Sequence, residues 1–136
     1  MSHYLDARAA LLTALKKQVG DTKLIADGVL DDKEERYFRF SYLPAGDTPT
    51  TLGQHGKDTH TGLAQIDVCT KAALGFKAHY ELVTTARDAY AYGVAMPYGS
   101  VSVTIAEVTI APVSVDGDLY RRSALSVYFT YRVNRN

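Results

Sequence analysis

Leu125-Ser126-Val127-Tyr128-Phe129-Thr130-Tyr131-Arg132-Val133 alternates without a slip. Leu125, Val127, Phe129, Tyr131 and Val133 take one side, and Ser126, Tyr128, Thr130 and Arg132 the other. Successive side chains of a strand point to opposite faces, so this period of two predicts a half-buried β-strand. Its β-branched and aromatic content suits a pleated surface. Working back along the chain, Val115-Asp116-Gly117-Asp118 carries an Asp-Gly pair, a strong local hairpin signal. Before it, Val101, Val103 and Ile105 alternate with Ser102 and Thr104. Val108 and Ile110 continue that strand past a bulge or bend at Ala106–Glu107. Two further alternating runs are Tyr37–Leu43, with Phe38, Phe40 and Tyr42 inward, and Leu63–Thr70, with Ala64, Ile66 and Val68 inward. They are expected to pair as an antiparallel hairpin. Lys23–Ala26 reads as a short fifth strand.

Two segments change period. In residues 3–19 the apolar stripe Leu5, Ala9, Leu12, Leu15 and Val19 steps by threes and fours, flanked by Leu11. Asp6 in the first turn and Lys16–Lys17 in the last suit the helix dipole, and Gly20 is a natural stop. The second helix runs from Phe76 to Tyr90, with Phe76, Tyr80, Val83, Ala86 and Tyr90 on its stripe. The order is α-β-β-β-α-β-β, and the expected fold is α+β: a mixed or antiparallel sheet of about five strands covered by two helices. Phe38, Phe40, Ile66, Val68, Val103, Leu125, Val127 and Phe129 form the expected core, under helices carrying Leu12 and Val83.

The 136 residues suit one domain, and 46% apolar with 22% charged residues excludes wholesale disorder. Fifteen basic residues balance fifteen acidic ones, so no overall field draws the chain to nucleic acid or an anionic membrane. A single cysteine, Cys69, makes no internal disulfide. No apolar run approaches the roughly 20 residues of a membrane span, and Asp6 and Arg8 interrupt the start where a secretion signal would be apolar. A soluble, unexported chain is expected.

Residues 44–62, PAGDTPTTLGQHGKDTHTG, show no period and read as one long flexible loop. Loops beyond about 12–15 residues are uncommon in compact domains and tend to carry function. Leu52 is its only large apolar residue. The candidate assembly contact is Thr51, Leu52, Gly53, Gln54, His55 and Lys57, joined by Arg121 and Arg122. From Leu119 onward there are four arginines, Arg121, Arg122, Arg132 and Arg135, and no Asp or Glu, which reads as a solvated edge strand or as a surface for an acidic partner or a passing nucleic acid backbone. Ten tyrosines without a tryptophan add amphipathic area of the kind enriched at interfaces.

Catalytic chemistry finds no pattern. His55, Asp58 and His60 lie close together, but their spacing matches no helical ligand pair and no Cys completes a site. Cys69 and His79 read as a sheet-facing thiol and a helix-surface histidine rather than nucleophile and base. Asp116-Gly117-Asp118 lacks the remaining ligands of a calcium loop. No phosphate-binding or hydrolase motif appears. No cofactor, metal or catalytic residue is expected, and the chain is not read as an enzyme.

The order of elements and several strings resemble the tail terminators of long-tailed bacteriophages, the group that includes the terminator of phage lambda. The resemblance rests on the helix Tyr4–Val19, Phe40-Ser41-Tyr42-Leu43-Pro44, Thr51-Leu52-Gly53, Thr61-Gly62-Leu63-Ala64-Gln65-Ile66-Asp67-Val68, the Gly75-led helix and Ser126–Val133. Gly62-x-x-Gln65-x-x-Val68 is its most specific piece. Tyr120-Arg121-Arg122 departs from it, where relatives carry a Trp. The resemblance implies a structural virion protein that forms a homohexameric ring. Such a ring caps the tail tube, ends its polymerisation and offers a surface to the head-tail connector. It also implies a place at the neck end of the tail after assembly in the host cytoplasm, with DNA passing through the ring without being recognised, and no membrane partner. The alternatives are another ring component of the neck, or a small enzyme or ligand-binding domain.

Overall fold

The protein is seen in a computed structural model, which describes residues 3–20, 22–26, 35–49, 57–91, 95–99, 101–116 and 120–134. Helix α1 spans His3–Val19, followed by β1 (Lys23–Ile25), β2 (Arg36–Pro49) and β3 (Lys57–Lys71). A 3-10 turn at Ala72–Leu74 leads into α2 (Gly75–Asp88). Strands β4 (Ala95–Tyr98), β5 (Val101–Ile110), β6 (Ser114–Asp116) and β7 (Tyr120–Asn134) complete the order. Six strands line up as β1-β2-β3-β7-β5-β4, and the short β6 pairs separately with β7. The β1–β2 pair is parallel and every other pair antiparallel, so the sheet is mixed. The α+β class and two helices are as expected, but about five strands was too few. β4 was missed because Pro97 and Gly99 read as a turn; Pro is tolerated in an edge strand, which β4 is. β6 is three residues long and too short to show a period.

All eight expected sheet residues, together with Leu12 and Val83, are buried in one core on the helix-covered face. α2 packs on β3 and β7, while α1 packs on β4, β5 and α2. The Tyr90 hydroxyl donates to the Leu11 carbonyl at 2.8 Å and ties the end of α2 to α1. The helix faces, however, are rotated from the expected stripes. α1 buries Asp6, Ala7, Ala10, Leu11, Leu12, Leu15 and Val19, leaving Leu5 63% exposed. α2 buries His79, Leu82, Val83 and Ala86, while Phe76 and Tyr80 are about half exposed. Both stripes were centred on the largest side chains; against this sheet the small Ala7 and Ala10 allow closer approach.

The four middle strands share straight rows. Phe40, Ile66, Leu125 and Ile110 are successive partners across β2, β3, β7 and β5. Tyr42, Ala64, Val127 and Val108 form a parallel row, and both rows point to the helices. Between them run Ser41, Gln65, Ser126 and Thr109, with Leu43, Leu63, Tyr128 and Glu107 beyond. These last two rows lie on the face that no described helix covers. The bulge expected in β5 is present as a register shift between Ile105 and Glu107.

The expected long loop is shorter than its sequence suggests. Residues 44–49 continue β2 and residues 57–62 begin β3, paired from Pro44↔Gly62 to Pro49↔Asp58 across a register shift at Pro44/Gly46. Pairing with β7 holds the β3 half in place, from Lys57↔Asn134 onward, and this long-range support is invisible in local composition. At Gly62 an added Cβ would run into the Phe129 ring. Glycine there lets the aromatic ring lie across the neighbouring strand.

Candidate assembly surface

The face of the sheet that no described helix covers is built from the alternate positions of β2, β3, β7 and β5. Leu43 (52% exposed), Leu63 and Tyr128 make an apolar row on it, while Ser41, Gln65, Ser126 and Thr109 make a polar one. Closer to β1, Asp67 is shared by two guanidinium groups, Arg39 at 3.3 Å and Arg122 at 3.7 Å. Gln65 donates to the same carboxylate at 3.0 Å. Below this row Ile25, Tyr37, Cys69 and Tyr120 form a second, small buried cluster. Burial there pushes the Tyr37 hydroxyl's pKa up.

On the helix side the polar feature is His79, fully buried. Its Nδ1 is 2.8 Å from Thr70 Oγ1 and its Nε2 2.8 Å from Ser123 Oγ, both hydroxyls also buried. α2 is thereby pinned to β3 and β7 at once. Burial lowers the imidazole's pKa, and Arg121 lowers it further. The neutral ring meets one hydroxyl with its N–H and accepts from the other. A Ser–His contact invites a hydrolytic reading, but both groups are sealed from any substrate. Cys69 sits on the opposite side of the sheet, so it and His79 form no nucleophile–base pair. The expectation of a surface histidine is thus corrected. The signal was present: His79 shares a helical stripe with Val83, Ala86 and Tyr90 at four- and three-residue steps.

A third group joins the N-terminal turn of α1 to the far end of the sheet. The His3 and His60 ring centroids are 4.4 Å apart, and His60 stacks on Tyr131 at 5.1 Å. His3 Nδ1 is 3.0 Å from the Tyr131 hydroxyl. His60 is therefore a packing residue and not a loop ligand. Among the described residues no group of three His, Cys, Asp or Glu is placed to hold a metal.

Of the sequence-predicted contact residues, Thr51, Leu52, Gly53, Gln54 and His55 lie outside the described residues. Lys57 opens β3 opposite Asn134. Arg121 and Arg122 pair with Thr70 and Cys69, near the other end of the same ribbon. Twelve-odd residues of strand separate the two groups, about 40 Å at roughly 3.3 Å per residue. Lys57 and the two arginines therefore do not share one patch. Nor is β7 a solvated edge: it lies between β3 and β5 in mid-sheet. Arg121 donates to the Ala72 carbonyl at 2.8 Å and lies 4.1 Å over the Phe76 ring, and Arg122 reaches Asp67. These arginines brace the fold where an exposed strand would have left them in water.

No described helix is long and apolar enough to cross a membrane. What the described surface offers is a sheet face that no described helix covers and an exposed aromatic pair, Phe76 and Tyr80. Exposed apolar surface of this kind suits contact with other proteins. The chain belongs to the phage tail terminator proteins, whose family profile matches residues 6–129. It is a structural protein of the phage tail and a virion component. No curated protein matches the sequence. Among solved structures, one identified only by a sequence number superposes with a TM-score of 0.67 at 12% identity, covering 91% of this chain and 94% of its own. A chain from the virion of a native gene transfer agent particle gives 0.53 at 18% identity, covering 98% and 95%. At these identities the likeness is one of fold.

Proposed function

We propose that this protein closes as a homohexameric ring on the end of the tail tube, stops tube growth and presents its other side to the head-tail connector. The observation that carries the reading is the family match over nearly the whole chain. A terminator must match the open tube end on one side without offering a copy of that end on the other, or growth would continue. The two ends of the β2–β3–β7 ribbon suit that requirement because they differ in chemistry. The end carrying Lys57 and the segment Thr51–His55 is assigned to one neighbour along the tail, and the end bearing Arg121 and Arg122 to the other. The ring sits at the neck end of the virion after assembly in the host cytoplasm, and its lumen passes DNA without reading it. Electron microscopy of particles made without the protein is the test. Tails of uncontrolled length, unattached to heads, are expected. Tails of normal length that only fail to join heads would make it a connector component instead.

A further inference from the structure

Helix α2 buries one side on the sheet and carries two unlike pairs of side chains on the other. Phe76 is 55% and Tyr80 51% exposed, and their rings stack at 6.3 Å and 23°. Arg121 holds the rings in place, its guanidinium 4.1 Å over Phe76 and its N–H on the Ala72 carbonyl at 2.8 Å. Beside them Lys77 and Glu81 approach to 3.9 Å, with side chains 92% and 66% exposed. A helix turns about 100° per residue, so each pair spans about 40° and the charged flank lies about 100° round from the aromatic one. The outer side of a surface helix is ordinarily polar, and two rings fixed there are surface prepared for contact. A ring already ordered loses little entropy when a partner covers it.

We propose that this patch docks a second copy of itself, the two α2 helices packing antiparallel about a two-fold axis perpendicular to them. Such an axis keeps each flank opposite its own kind, rings on rings and charges on charges. The four-residue spacing then reverses onto itself. Phe76 meets Tyr80 of the second copy and Lys77 meets its Glu81, each contact made twice. The centres of the two pairs differ by one residue, about 1.5 Å of rise, which long side chains take up. Parallel helices would instead turn the charged flank of one copy onto the aromatic flank of the other. A shallow cleft lined by Lys77, Tyr80, Glu81 and Thr84 opens on this same side of α2 and leaves room for the incoming Phe76 ring. The balance of fifteen basic and fifteen acidic residues leaves no overall repulsion to hold copies apart. The four half-exposed rings offer about 400 Å², well below the roughly 1,200 Å² of stable complexes, so the contact is reversible. A two-fold contact stops at the second copy and builds no ring. It pairs free chains or free rings, and so goes beyond the capping role.

Lys77→Glu and Glu81→Lys, alone and mixed, test the pairing by particle mass across a concentration series. Unmodified protein should double its mass as concentration rises, whether the unit that doubles is a chain or a ring. Each single variant sets like charges opposite each other twice, and should move the doubling to at least about tenfold higher concentration. Mixing the two variants restores opposite charges at both contacts, and they should pair with each other as readily as the unmodified protein pairs. Melting temperatures should stay level, since both side chains stand mostly in water. Single variants that double like the unmodified protein would overturn the proposal, and so would unmodified protein that never doubles. Variants of unchanged mass that fail to join tails to heads would give the patch to another protein of the tail and overturn it as well. Ring closure and tail length in the same variants report on capping separately.

Discussion

Gly62 and Phe129 make the clearest residue-scale dependency. A methyl group at position 62 would overlap the ring, which is held in line with Tyr42 and Tyr131 and has nowhere to swing. Gly62→Ala should cost about 1–3 kcal/mol by overpacking, and Phe129→Ala about 3–5 kcal/mol by cavity formation. The double variant should cost clearly less than the sum, because the new methyl occupies space the ring has left. Denaturant midpoints measure all three, and simple additivity would break the pairing. His79 gives a pH signature. Its folded pKa lies below its unfolded value, so the unfolded chain binds more protons and stability falls as pH drops below about 6.5. The loss levels off once pH passes the lowered folded value. His79→Gln should remove that part of the acid-side slope, read as unfolding midpoints at pH 8 and pH 5. An unchanged slope would assign the acid loss to other groups. Neither dependency was readable in full from the sequence: the Gly62 motif was visible, but its ring partner is sixty-odd residues away in the chain.

At the scale of elements, the strands were legible and the helix faces only in part: Leu12, Leu15, Val19, Val83, Ala86 and Tyr90 are buried as expected. A strand exposes its orientation in every second residue, and Leu125–Val133 left no ambiguity. A helix stripe is wider, and two stripes a residue apart can both look apolar. Leu5, Phe76 and Tyr80 drew the expected stripes toward themselves, while Asp6 and His79 were placed outward because they are polar. Asp6 is instead buried beside the β4–β5 turn, where an added Cβ at Gly99 would lie 2.7 Å from its carboxylate. Gly99 also has φ +56°, so that turn needs glycine twice over. The rotation of α1 is directly testable. Leu11→Ala should cost about 2–5 kcal/mol, whereas Leu5→Ala should stay within about 0.5 kcal/mol, as surface changes do. Comparable losses for both would restore the stripe through Leu5. The loop was misjudged for a related reason: Pro44, Gly46 and Pro49 are poor strand formers locally, and only pairing with β3 makes that stretch extended.

At the scale of the whole molecule, the long ribbon turns two sets of residues into two separate claims. Replacing residues 47–60 would remove paired positions of β2 and β3 together with buried His60, so misfolding would obscure any assembly defect. Replacing only residues 51–55 by a Gly-Ser turn leaves every described strand residue in place, and loop-closure entropy changes little with so small an edit. That variant should fold with an unchanged melting temperature yet make tails of aberrant length, if this end meets the tube. Arg122→Gln addresses the opposite end. Asp67 keeps Arg39 as its partner, so the stability loss should stay within about 1 kcal/mol for a partly exposed pair. If Arg122 serves the other neighbour, its loss should leave tail length alone and lower head attachment. The two phenotypes must separate, because about 40 Å of strand lies between the groups. Identical defects from both variants would mean that one contact surface wraps the ribbon and that the two-ended assignment is wrong. Normal infectivity from both would remove these residues from assembly altogether.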